Sequence, residues 1–157
     1  MKIKIDNLES LEVKTLLQEH HEDMLQHSPP ESVHALDLSS LKAPEVTFFT
    51  AWINDQLAGC GALKKLDNKH VELKSMRTSQ HFLRRGVAAK LLTHMLAIAK
   101  KESFTKISLE TGTQTAFLPA QQLYKNFAFE ECKPFADYQE DPYSMFLTKD
   151  LASVVSK

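Results

Sequence analysis

Apolar and polar residues alternate along Ile3-Lys4-Ile5, as they do in a half-buried strand, and Asp6, Asn7 and Ser10 then interrupt the pattern before a helical spacing begins. Leu11, Leu16, Leu17, Met24 and Leu25 fall on one broad helical face. Ser28-Pro29-Pro30 ends that helix, because proline has no amide hydrogen and its ring clashes with the preceding turn. Val33 to Leu41 reads as a second short helix or a structured loop. From Val46 to Ile53 the β-branched and aromatic residues predict a strand, Asn54-Asp55 a tight hairpin, and Gln56 to Lys65 the return strand. Gly59 and Gly61 flank Cys60 there, which suggests a bulge or a close backbone approach. Asp67-Asn68 turns the chain into a third strand, Val71 to Thr78.

After Gly86 the period becomes helical, with Val87, Leu91, Met95 and Ile98 on one line, Ala88, Leu92 and Ala99 beside it, and Lys100-Lys101 closing the helix favourably against its dipole. Lys106 to Glu110 reads as a short strand, Pro119 to Asn126 as a helix, Phe127 to Glu131 as the start of another strand and Ser144 to Thr148 as the last. This order predicts an α/β (α+β) layer arrangement around a mixed sheet, without repeats or low-complexity tracts. At 157 residues with 43% apolar and 25% charged, one domain over 1–157 is expected.

Composition removes several function classes. A net charge of -1 gives no general attraction to nucleic acid or to an anionic membrane, and no apolar run approaches the roughly 18 residues of a membrane span. Cys60 and Cys132 have neither the number nor the spacing of a disulfide framework or a zinc site, and the N-terminus is not signal-like, so a cytoplasmic setting is expected. The seven histidines, His20 and His21 among them, show no metal-ligand spacing, and no metal is expected.

Charge placement is more informative than its sum. All three arginines, Arg77, Arg84 and Arg85, lie just before the helix that follows Gly86, whereas the lysines are scattered along the chain. Arginine forks suit phosphate oxygens, and a helix N-terminus adds unpaired N–H groups and partial positive charge. Gly86 and the slim Ala88 and Ala89 leave room for a ligand near the backbone. On spacing alone, a solvated Arg84-Arg85 pair reads equally well. Neither a P-loop nor a dinucleotide fingerprint fits, since no Gly-Lys-Ser/Thr follows and only one glycine is present.

The segment Glu72 to Thr78 followed by Phe82 to Leu92 resembles the acetyl-CoA motif of the GCN5-related N-acetyltransferases, the GNAT superfamily. The pattern Arg/Gln-x-x-Gly-x-Gly/Ala maps onto Leu83 to Ala88. Its last two positions are kept as Gly86 and Ala88, while Leu83 departs from the first. Family members often carry Arg-Gly where this chain has Leu83-Arg84. Leu109 to Gly112 and Ala120 to Phe129 resemble later family blocks, with Ala128 in place of a glycine, and the tail Cys132 to Phe146 resembles bacterial small-molecule acetyltransferases. The resemblance implies a mixed, mostly antiparallel sheet of six to seven strands with helices on both faces. It also implies acetyl-CoA as co-substrate, its phosphates on Arg84, Arg85, Gly86, Val87, Ala88 and Ala89 and its pantetheine arm along Met76, Arg77 and Thr78. The implied activity is N-acetyl transfer to a primary amine of a small molecule; a non-catalytic acyl-CoA-binding module and a protein amine acceptor remain alternatives. A homodimer through the C-terminal strands is common among such proteins.

Attack of a neutral amine on a thioester needs a base for the ammonium and an acid for the departing thiolate. Tyr124 matches the family tyrosine near the CoA sulfur, and a phenol, with a pKa of about 10, is protonated at neutral pH; on a helix it would otherwise be a core residue. Glu110 is the first-ranked base and Glu72 the second, although charged strand ends are often simply solvated. Surface or capping roles are expected of the histidines; His20 and His21 lie on adjacent faces of the first helix, and the loop Ser28 to Asp37, with His34 and Asp37, is where the family commonly builds its acceptor pocket, so that one of them could touch substrate.

Overall fold

The computed structural model describes residues 1–33 and 38–151, so His34 and Asp37 lie outside the described residues. Strand β1 (Lys2–Ile5) leads into helix α1 (Leu11–His27), whose first turn is capped by the Ser10 hydroxyl accepting from the Val13 N–H at 3.2 Å. A 3-10 turn at Pro30–Ser32 and a single helical turn α2 (Leu38–Leu41) precede β2 (Val46–Ile53) and β3 (Gln56–Lys65). Asn54 and Asp55 both take positive φ, +50° and +62°, the form of two-residue turn that matches strand twist in a hairpin. β4 (His70–Thr78), α3 (Val87–Lys101), β5 (Lys106–Gly112), α4 (Leu118–Asn126), β6 (Glu130–Glu131) and β7 (Ser144–Asp150) complete the chain.

The strands form one seven-stranded sheet in the order β1-β2-β3-β4-β5-β7-β6, antiparallel everywhere except at β4–β5. Alternation along β2 puts the two phenylalanines on opposite faces. Phe48 joins Leu8, Val13, Leu16 and Leu41 under α1 and α2, and Phe49 joins Leu91, Leu92, Met95 and Leu109 under α3 and α4. Helices therefore cover both faces of the sheet.

The expected elements differ from the observed ones at their edges and in two places inside. Leu11 and Leu25 lie on the solvent side of α1, 77% and 41% exposed, and Val13 and Leu16 form its buried stripe. Phe127 to Phe129 is not strand. Ala128, at φ +67°, ends α4 in a Schellman motif, with Phe129 N–H bonding Tyr124 C=O at 3.0 Å and Ala128 N–H bonding Lys125 C=O at 2.9 Å, and only Glu130–Glu131 pair with β7. The helix-ending conformation overrides the apolar pattern there.

Candidate active site

The site grows from a fault in the sheet. β4 and β5 pair in parallel only from His70/Lys106 to Leu73/Leu109, and beyond that point they diverge. β4 stays with β3 and β5 stays with β7, so among the described residues the β5-facing edge of β4 from Lys74 to Thr78 has no strand partner. The divergence begins at a bulge: Ser75 takes φ +56°, and the β3–β4 register shifts between Cys60 and Ala62. Gly61 sits opposite. A Cβ there would lie 2.5 Å from the Met76 sulfur and 3.0 Å from that of Met95, so the close approach expected of this glycine is present.

A cavity of about 120 Å³ occupies the divergence, walled by Glu72, Glu110, Tyr124, Tyr138, Phe117 and His20 among others. Glu110 is partly buried, and its Oε2 accepts from the Ser144 hydroxyl at 2.8 Å. Burial raises its pKa from 4.5 to about 7, against the pull of the Ser144 hydrogen bond and the Lys74 charge and with help from Glu72 and Asp141. Tyr124 is buried, packed edge-on against Phe129 with ring centroids 5.7 Å apart. Burial, and secondarily the Glu110 charge, push its phenol well above its ordinary range, so it is a protonated donor at any physiological pH. The Schellman cap fixes this tyrosine, because its carbonyl closes the motif and its ring makes the accompanying apolar contact.

Glu72 is not a solvated strand end. It is 2% exposed, 3.1 Å from the Lys74 ammonium, and accepts from the Tyr138 hydroxyl at 2.5 Å, while Lys74 Nζ donates to the same hydroxyl at 2.6 Å. Tyr138 belongs to the loop after β6 and is held by Phe135 and Phe146. Glu72 thus has Lys74 and Tyr138 as partners, whereas Glu110 has the Ser144 hydroxyl and faces the cavity. Lys74 and Ser144 escape sequence reasoning. Lys74 follows Glu72 by two on the same face of a strand, which is a signal, whereas Ser144 meets Glu110 only through the β5–β7 register.

The basic turn lies at the open end of β4. Arg84 and Gly86 take left-handed φ values of +63° and +77°, and α3 begins at Val87 without a side-chain cap. Gly86 is required by its conformation rather than by crowding, since a Cβ there would meet nothing within 4 Å. Arg84 and Arg85 are exposed and Ala88 and Ala89 partly so, whereas the Val87 side chain is buried in the core and only its main chain is at the turn. Arg85 stacks over the Phe82 ring at 5.3 Å. Arg77 stands apart from the other two: its guanidinium pairs with Asp23 of α1 at 2.8 Å, leaving its main chain for the divergent edge beside Met76 and Thr78. A free strand edge leading to an uncapped helix N-terminus flanked by two exposed arginines suits a ligand that has amides at one end and phosphates at the other.

Among the described residues no group of three or more His, Cys, Asp or Glu is placed to hold a metal, and no helix is long and apolar enough to cross a membrane.

Comparison with known proteins fits this geometry. The model of the acetyltransferase (GNAT) family matches residues 11–129. The chain is 54% identical over 151 residues to the uncharacterized N-acetyltransferase YsnE of Bacillus subtilis, covering 96% of this chain and all of that one. It is 52% identical over 149 residues to the uncharacterized N-acetyltransferase YedL of Escherichia coli, covering 95% and 94%. The fold of a GNAT acetyltransferase from Elizabethkingia anophelis, solved with acetyl-CoA bound, superposes with a TM-score of 0.68 at 19% identity over 95% of this chain and 97% of that one. The chain is an acyltransferase and belongs to the GNAT family.

Proposed function

We propose that this enzyme uses acetyl-CoA to acetylate a primary amine of a small molecule by direct attack on the thioester. The observation that carries the reading is Glu110, a carboxylate with a pKa near 7 that shares one small cavity with the protonated Tyr124 where β4 and β5 part. Acetyl-CoA, when bound, supplies the activated acetyl group. The free edge of β4 at Met76, Arg77 and Thr78 pairs with the amides of the pantetheine arm, and the main chain from Arg84 to Ala89, with the Arg84 and Arg85 side chains, receives the phosphates. Glu110 takes a proton from the incoming ammonium, a task suited to a base whose pKa lies near working pH. As the C–N bond forms and the C–S bond breaks, the Tyr124 hydroxyl donates its proton to the departing sulfur. The acceptor amine enters from the side of α1 and the Tyr138 loop, which contribute His20, Met24 and Tyr138 to the cavity wall.

A thiol-release assay with acetyl-CoA and a panel of small amines tests the reading. The expected result is amine-dependent release of CoA; tight acetyl-CoA binding without release on any amine, or release only on protein amines, would overturn it. A homodimer through the C-terminal strands belongs to the same reading and is checked by light scattering.

A further inference from the structure

His20 has no part in the transfer just described, yet α1 packs on β3 and β4 and brings this ring to the wall of the cavity that holds Glu110. Its Nδ1 is shielded from solvent and has no hydrogen-bond partner, whereas Nε2 is not closed off in this way. An orphaned buried N–H is rarer and costlier than an unused lone pair, so the shielded Nδ1 is the bare nitrogen and the proton sits on Nε2. Desolvation, with the neighbouring Arg77 charge, lowers the pKa of the ring to about 4, so it is neutral at pH 7 even with Asp23 nearby. The ring is therefore an uncharged donor in a wall that also carries the Tyr124 and Tyr138 hydroxyls, and the carboxylates of Glu72 and Glu110 in the same wall repel any anionic group that approaches it.

We infer that His20 sets acceptor specificity, its Nε2–H donating to a neutral oxygen, hydroxyl or carbonyl, carried close to the reacting amine. Amino alcohols and amino amides are then preferred over plain alkylamines of the same size. This inference rests on the acetyl-transfer reading above.

The test compares size-matched acceptors, 2-aminoethanol with propylamine and glycinamide with butylamine, in the wild type, H20F and H20Q. One hydrogen bond in a partly desolvated site predicts a preference of about tenfold in kcat/KM for the oxygen-bearing member. H20F, which keeps a ring but no donor, is expected to lose most of that preference with the KM for acetyl-CoA unchanged; H20Q, whose amide N–H falls near the position of Nε2, is expected to retain part of it. Equal preference in the wild type and H20F, both still releasing CoA, would overturn the inference. Because amine basicity is the same for every variant, only the ratio between enzymes is read. If no amine releases CoA in the wild type, the acetyl-transfer reading fails by itself, and His20 is still decided by long-range proton–nitrogen spectra of histidine-labelled protein. There the expected result is a neutral Nε2–H tautomer at pH 7 whose Nε2 signal moves with 2-aminoethanol and not with propylamine; an Nδ1–H tautomer, or equal shifts with both amines, would refute it.

Discussion

Replacing Glu110 with Gln separates two consequences of the same burial. In the unfolded chain this carboxyl titrates near 4.5, and in the folded protein near 7 because it is desolvated in the cavity. Between those values the native state holds the extra proton, so raising the pH through this window lowers stability, and above pH 7 the full penalty persists. The difference between 4.5 and about 7 corresponds to about 3 kcal/mol, a figure good to order of magnitude. Glu110→Gln is isosteric, and its carbonyl oxygen can still accept from the Ser144 hydroxyl. The variant is therefore expected to match the wild type below pH 4.5 and to exceed it at pH 8, raising Tm by roughly 5 to 10 °C for a chain of this size. Thermal unfolding followed by circular dichroism at the two pH values reads this directly. The same substitution is expected to lower kcat/KM by roughly 10² or more and to remove its rise near pH 7. A variant no more stable than the wild type at pH 8, or one that keeps the limb near pH 7, would refute both the burial argument and the base assignment.

Other substitutions probe the remaining parts. Tyr124→Phe keeps the contact with Phe129 and the helix cap, so acetyl-CoA affinity by calorimetry is expected to be unchanged while kcat falls at least about tenfold for loss of the proton donor. Lys74→Ala leaves the Glu72 carboxylate buried with Tyr138 as its remaining donor and is expected to cost about 3 kcal/mol in urea denaturation, with Glu72→Gln in the same chain restoring part of it. Ala128→Gly relieves a left-handed residue at the end of α4, where strain of about 1–2 kcal/mol is partly offset by the greater freedom of glycine in the unfolded chain, so a net gain of about 0.5–1 kcal/mol is expected in the same assay.

Local rules made much of this protein legible. The Val46–Ile53 and Gln56–Lys65 strands, their two-residue turn, the helix after Gly86 and the arginines before it all follow from propensity, period and turn chemistry, which act over a few residues. Arg84 and Ala128, which stand where the resemblance places glycine, both take left-handed φ values, +63° and +67°. Leu11 and Leu25 of α1 face solvent although the apolar spacing includes them in the buried stripe, since leucines at helix ends carry no local mark of which face meets the sheet.

The sequence by itself determined the elements, the basic turn and the residue types available for proton transfer. Only the tertiary structure decided their roles. Glu110 and Glu72 are ranked first and second as bases from the sequence, and the fold separates them physically by giving Glu72 Lys74 and Tyr138 and leaving Glu110 desolvated beside Tyr124. Arg77 reads as a phosphate ligand until α1 presents Asp23, and His20 reads as a surface residue until the same helix sets it at the cavity wall. Lys74 lies only two residues from Glu72, but Tyr138, Asp23 and the groups that desolvate Glu110 are tens of positions from their partners, and the fold alone brings them within a few ångströms.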